Sequence, residues 1–328
     1  MNVCVTEYEK KYMFELVPVT QLCGQNVAKK TYIFESIRRY FSTYKYREEP
    51  NKWRDNVKLD NETVGRKFFT VVSIRNITDI LDMIKWSKQS LMTEYVKQIL
   101  QRNDLQSHLR IIDEELEKMF QSMNVEINRL GDVELTYAMA DVWDMIQKTT
   151  LIASDEILLE DKTNYELFLL FLNLIEKVME VNPKKLLVLV ENIDHFISRK
   201  EYEKILEKLK QIGRKYTIYF VVSTSIDGYV GCDKELCSGI TIFGEVDFQM
   251  PELEKVSEFI NNTYPCNKIL SEKQICADLI KIMQKIGQKE YLYDVEQNVI
   301  CKLINQTLML REKWENTEKT PEIAFLKA

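Results

Sequence analysis

The chain has 328 residues, 45% of them hydrophobic, with a net charge of −6; this is enough apolar material for a substantial core, the length suggests two domains, and the acidic balance by itself argues against a nucleic-acid binder. No apolar run reaches membrane-spanning length and no charged, hydrophobic leader opens the chain, so a soluble, cytoplasmic protein without membrane contact is expected. Seven scattered cysteines argue against a secreted disulfide framework, Cys232 and Cys237 are too isolated for a zinc site, and two histidines cannot form a cluster.

In chain order, Tyr12 to Val19 reads as one strand. Gly24-Gln25-Asn26-Val27-Ala28-Lys29-Lys30-Thr31 then fits the eight-residue frame G-x-x-x-x-G-K-[ST], with lysine in place of the second glycine. In a working loop of this kind backbone N–H groups cradle phosphates, the lysine reaches the terminal ones and the Ser/Thr hydroxyl holds magnesium. A Cβ costs about 1–2 kcal/mol wherever φ must be positive, so Lys29 should distort or close the cradle. Ile33, Phe34, Ile37, Phe41 and Tyr44 follow at helical spacing. Strand, loop and helix thus stand in the order a phosphate site needs, with Gly24, Lys30 and Thr31 as its residues, although the same stretch also reads as an ordinary helix start with solvated lysines.

From Asn76 to Pro183 glycine and proline are nearly absent, and helices are expected. Ile77 to Leu100 forms one long pattern, Leu105 to Met123 a second and Val142 to Leu151 a shorter third, and Asn164 to Val181 returns the chain to the sheet. Leu186 to Val190 suits a strand buried on both faces and ends in Glu191-Asn192, with Asp194 close behind. Glu191 reads either as the acid that holds magnesium or orients water in P-loop enzymes, or as a loop cap. His195 reads as a loop histidine, and nothing argues for a Ser-His-Asp or Cys-His arrangement.

Ser198 and Glu201 form a capping box before a helix that should stop at Gly213, and Tyr216 to Val222 reads as the next strand. Two buried strands flanking one helix make a βαβ unit and a parallel sheet. Gly239 to Phe243 reads as a last strand, Pro251 as the first residue of a helix through Phe259, Ile275 to Ile286 and Val295 to Leu310 as further helices, and the tail from Arg311 as polar and frayed. The expected organisation is a discontinuous α/β head over 1–75 and 162–250, an inserted helical domain over 76–161 and a C-terminal helical extension over 251–328.

Charge is uneven. Residues 29–67 carry eleven basic side chains, Lys29, Lys30, Arg38, Arg39, Lys45, Arg47, Lys52, Arg54, Lys58, Arg66 and Lys67, against six acids, with Tyr40, Phe41, Tyr44, Tyr46 and Trp53 between them. Such a surface binds phosphates, or is a solvated basic face.

Gln21 to Asn26 with Lys29-Lys30, Tyr40 to Tyr46 and Glu62 to Phe69, followed by the helical insertion and Leu186 to Val190, resemble the long form of the Csn2 family of type II-A CRISPR adaptation proteins. The resemblance implies a P-loop-ATPase-like (RecA/Rossmann-like), mainly parallel α/β head with a helical leg. It also implies a homotetrameric ring that binds double-stranded DNA, especially its ends, and acts beside Cas1, Cas2 and Cas9 in spacer acquisition. No nucleotide hydrolysis is implied; bound calcium supports the ring in short members, and no acid of this chain is assigned to it. The expected function is therefore non-enzymatic, sequence-independent binding of DNA by the eleven basic residues. Two alternatives stand beside it: a P-loop ATPase with a degenerate loop using Lys30, Thr31 and Glu191, and a protein-interaction scaffold without DNA contact.

Overall fold

The computed structural model describes residues 1–42, 55–131, 133–136, 146–149, 151, 158–288, 294–310 and 320–327. They fall into two compact units, Met1–Asp79 with Lys184–Ala328, and Ile80–Pro183. This division places residues 162–183 with the helices and those after 250 with the sheet, whereas the sequence boundaries were drawn at 161 and 250. The ten helices among the described residues are α1 (Val27–Tyr40), α2 (Ile77–Ile84), α3 (Leu91–Leu100), α4 (Asn103–Ile127), α5 (Asn164–Val181), α6 (Arg199–Lys215), α7 (Leu253–Thr263), α8 (Glu272–Ile282), α9 (Val295–Thr307) and α10 (Pro321–Lys327).

The first unit holds two sheets. Strands β1 (Asn2–Glu7), β2 (Lys10–Glu15) and β4 (Val57–Leu59) form an antiparallel sheet in the order β2-β1-β4. Strands β3 (Val19–Cys23), β5 (Thr70–Ile74), β6 (Leu186–Val190), β7 (Ile218–Ser223), β8 (Ile240–Phe243) and β9 (Asp247–Gln249) form the second, in the order β5-β6-β7-β3-β8-β9. All its pairs are parallel except β8 with β9. The single strand expected over 12–19 is therefore two strands in different sheets. Pro18 offers no N–H to a ladder, and the Thr20 hydroxyl accepts the Val17 N–H at 3.0 Å, which turns the chain at the crossing.

β6 is the apolar run read at 186–190, buried at every position as a central parallel strand requires. The Ser198–Glu201 capping box opens α6, which runs past Gly213 to Lys215. Gly213 does not end the helix; it lets α6 approach Pro18, whose Cβ would lie 2.8 Å from an added side chain. α1 and the antiparallel sheet share a core with the large sheet through Val3, Phe14, Ile33, Ile37, Leu187 and Val221. A separate core joins Cys23, Ile240 and Ile242 to the C-terminal helices through Val256, Ile260, Leu279, Ile282, Ile300 and Ile304. α7 starts at Leu253 with Glu252 at its N-cap, so Pro251 precedes the first turn rather than opening it. The tail expected to be frayed contains α10, where Ile323 is fully buried; residues 311–319 lie outside the described set.

In the second unit the long pattern from Ile77 to Leu100 is broken. α2 ends at Ile84 and α3 begins at Leu91, where the Ser90 hydroxyl accepts the Thr93 N–H at 3.1 Å and makes a new N-cap. α3 packs against α5, whose Thr163–Glu166 capping box fixes its start. α4 carries the stripe from Leu105 to Met123, and none of its side chains is buried. Of the pattern at 142–151 only residues 146–149 and 151 are described.

Candidate functional site: a closed phosphate loop

The loop between β3 and α1 has the expected place and backbone turn, with Gly24 at φ +91°. Its donors are turned inward. The Gly24 N–H donates to Gln284 Oε1 at 2.5 Å, the Asn26 N–H to the Phe243 carbonyl at 3.0 Å and the Lys29 N–H to Asn26 Oδ1 at 3.0 Å, which also caps α1. Gln284 is wholly buried just beyond α8, and its Nε2 donates to Thr224 Oγ1 at 3.2 Å. An amide oxygen from the C-terminal layer thus accepts the N–H that a phosphate oxygen would take in a working loop.

Lys30 is 1% exposed. Its ammonium donates to the Gly24 carbonyl at 2.6 Å, to Ser225 Oγ at 2.7 Å and to the Thr224 carbonyl. Burial pulls this amine below its ordinary range, opposed by the nearby Cys23 thiol and Asp194 carboxylate. Thr31, the expected magnesium ligand, is exposed on α1. Lys29 pairs with Asp247 at 2.7 Å and donates to the Gly244 carbonyl at 3.1 Å, so it ties the loop to β9 and its turn.

Glu191 follows β6, and β7 lies between β6 and the loop strand β3. Two strand spacings, about 10 Å, therefore separate the ends of β6 and β3. Burial pushes the Glu191 carboxyl up to about 7, aided by Glu35 and Asp79 and opposed by Arg75 and Arg38. The acid that reaches the loop network is Asp194. It is buried, its Oδ2 accepts the N–H groups of Ser225 and Ile226 at 2.7 and 2.8 Å, and its Oδ1 has no hydrogen-bond partner among the described residues. Asp194, Thr224, Ser225 and Gln284 were not singled out as site residues by sequence; a lone amide within the apolar pattern of 275–286 was the one trace of Gln284.

A carboxyl whose folded pKa lies above its unfolded value of 4.5 favours folding while protonated, and its contribution is lost as pH rises from about 4.5 to 7. Glu191→Gln should therefore match the parent at pH 5 and exceed it at pH 8, by about 1 kcal/mol once solvent screening of this half-buried group is allowed for. Thermal melts at the two pH values read the difference, and equal shifts at both would refute the assignment.

The remaining basic residues occupy different settings. Arg38 and Arg39 both bond Glu35, at 2.7 and 2.5 Å; burial pushes the Glu35 carboxyl up, but the two guanidiniums outweigh it and hold the group below its usual range. Lys58, Arg66 and Lys67 are exposed, and Lys45, Arg47, Lys52 and Arg54 lie outside the described residues. Among the described residues no group of three or more His, Cys, Asp or Glu side chains could hold a metal ion, and no helix is long and apolar enough to cross a membrane.

A loop and helix after β3, a parallel sheet with one strand inserted between the loop strand and the strand that ends at Glu191, and a helical insertion define a P-loop-ATPase-like α/β protein whose loop is closed. The family model for "CRISPR-associated protein Csn2 subfamily St" matches residues 5–326. The chain belongs to this family, which gives it a general role in CRISPR adaptation. Its fold is similar to the crystal structure of Stu0660 of Streptococcus thermophilus, with a TM-score of 0.86 at 23% identity over 99% of each chain. More distant likenesses include cbiO1 of Clostridium perfringens, part of the ABC transporter complex cbiONQ (TM-score 0.39, 11% identity, 80% of this chain and 95% of that one). The SMC head domain from Thermotoga maritima is similarly distant (TM-score 0.34, 12% identity, 76% and 98%). Comparison with curated proteins yields no match.

Proposed function

We propose that the chain is a non-enzymatic, sequence-independent binder of double-stranded DNA that works as a homotetrameric ring in spacer acquisition, beside Cas1, Cas2 and Cas9. The observation that carries this reading is the closed loop in a CRISPR adaptation protein: Gln284 and three protein oxygens already hold the groups that would bind nucleotide phosphate. Membership of the Csn2 family supports the ring, the DNA and the partner proteins as expectations. No cofactor is required by this reading; calcium remains an expectation from the family resemblance, with no acid of this chain assigned to it.

Lys58, Arg66 and Lys67 are the exposed candidates among the described residues, and Lys45, Arg47, Lys52 and Arg54 are the candidates outside them. Lys29, Arg38 and Arg39 reach DNA only by giving up carboxylate partners, and Lys30 is enclosed. Two unrelated 30-base-pair duplexes should bind with similar affinity, falling steeply between 50 and 300 mM salt as counterion release requires. Reversing Lys45, Arg47, Lys52 and Arg54 to Glu together should weaken binding at least tenfold, and ATP should give no heat of binding. A flat salt response, unaffected binding in the reversed variant, or capture of an adaptation complex by a protein that never retains DNA would sink the reading.

A further inference from the structure

The three neighbouring parallel strands β5, β6 and β7 begin in register, Thr70 beside Leu186 and Leu186 beside Ile218. Each is preceded by basic residues: Arg66 and Lys67 before β5, Lys184 and Lys185 before β6, Arg214 and Lys215 before β7. The Thr70 N–H donates to the Lys185 carbonyl at 2.9 Å and the Leu186 N–H to the Thr217 carbonyl at 3.2 Å, so these segments run on as one edge. Six cations separated by as much as 149 positions in sequence therefore share the amino end of one sheet. Arg66, Lys67, Lys185, Arg214 and Lys215 are exposed there, and Arg214 is paired with Glu235.

Two ammonium groups are held over rings. Lys185 Nζ stands 4.2 Å from the centre of Phe68, and Lys215 Nζ 4.9 Å from that of Tyr216. Each contact limits the wandering of a long side chain and keeps its charge near the edge. The loop after β3 lies at the carboxyl end of the same parallel sheet, about 17 Å away along five residues of strand.

We propose that this amino-end rim is a binding surface for the phosphate backbone of double-stranded nucleic acid, separate from the closed loop; the proposal rests on the DNA-binding reading above. Strands about 4.8 Å apart spread the cations over roughly 10 Å. A row of that width matches a polymer of repeated phosphates, and positioning by point charges carries no base readout, so sequence independence follows.

The test compares the parent with Lys67→Gln/Lys185→Gln/Lys215→Gln, with the Lys→Arg triple at the same sites, and with Lys255→Gln/Lys273→Gln/Lys281→Gln as an equal charge loss elsewhere. Fluorescence anisotropy with a 30-base-pair duplex over a salt series gives the slope of log K against log salt. The rim Gln triple should lose about 2–3 from that slope, near one per phosphate contact, and bind at least tenfold more weakly at 100 mM salt, while the Arg triple and the distal triple bind like the parent. A parent that does not bind sinks the DNA reading itself. A parent that binds while the rim Gln triple, folded by its thermal midpoint, keeps the parental slope, or a distal triple that loses as much, overturns the rim alone.

Discussion

Lys30→Ala is expected to lower the thermal midpoint by about 10 °C, from a loss of about 3–5 kcal/mol, without removing any ATP turnover. The ammonium is enclosed and donates to the Gly24 and Thr224 carbonyls and to Ser225 Oγ. Truncation strands those acceptors in a dry interior, leaves a cavity the length of a lysine stem and leaves the Asp194 carboxylate without its nearby cation. Relief of the desolvation of a buried amine offsets part of this cost, and Lys30→Met, which restores the volume without the charge, should recover part of the loss. In an ATPase the same lysine serves the nucleotide, and its loss would leave the fold intact while ending turnover. Calorimetric melting and an ATP assay on the same preparation separate the two: an unchanged midpoint with lost turnover would overturn the closed-loop assignment.

Gly24→Ala is expected to be at least as damaging, by about 3 kcal/mol or more, and to appear first as lost soluble protein. An L-residue at φ +91° costs about 1–2 kcal/mol in backbone strain alone. The added Cβ would also run into the carbonyl of Phe243, backbone that is itself held by the Asn26 N–H. The loop then cannot keep the Gly24 N–H aimed at Gln284. Gly65, where an added Cβ meets open space, is the control: Gly65→Ala should leave the stability within about half a kcal/mol of the parent. Equal midpoints for the two variants would contradict the geometry.

Much of the sheet was legible because its signals are local. A five-residue apolar run bounded by polar residues can hardly be anything but a central strand, and β6 is that run; the Ser198–Glu201 box and the helix after it needed no distant information. The frame from Gly24 to Thr31 likewise located the loop. Its content was not legible, because the groups that complete it come from Phe243, Thr224 and Gln284, and a one-dimensional pattern carries no trace of which distant polar group will meet an N–H. The lysine at position 29, read from sequence as distorting or closing the cradle and counted among the basic candidates, is paired with Asp247, a partner its spacing in the chain does not reveal. Charge counting along the chain likewise leaves out the third dimension: Glu35 holds two of the arginines of residues 29–67, while Lys185 and Lys215, outside that window, share an edge with Lys67.

The bond between Gly24 and Gln284 spans 260 residues, and β3 pairs with strands some 200 residues further on. A ribosome adding roughly 5–20 residues per second therefore leaves the nascent β3 without either neighbour for about 10–40 s. The earliest strand of the large sheet is thus the one that waits longest for a neighbour, and its apolar residues Val19, Leu22 and Cys23 are without their sheet partners in the meantime. High contact order of this kind makes folding slow and places the aggregation hazard at the beginning of the chain, long before the helices that seal the loop have been made.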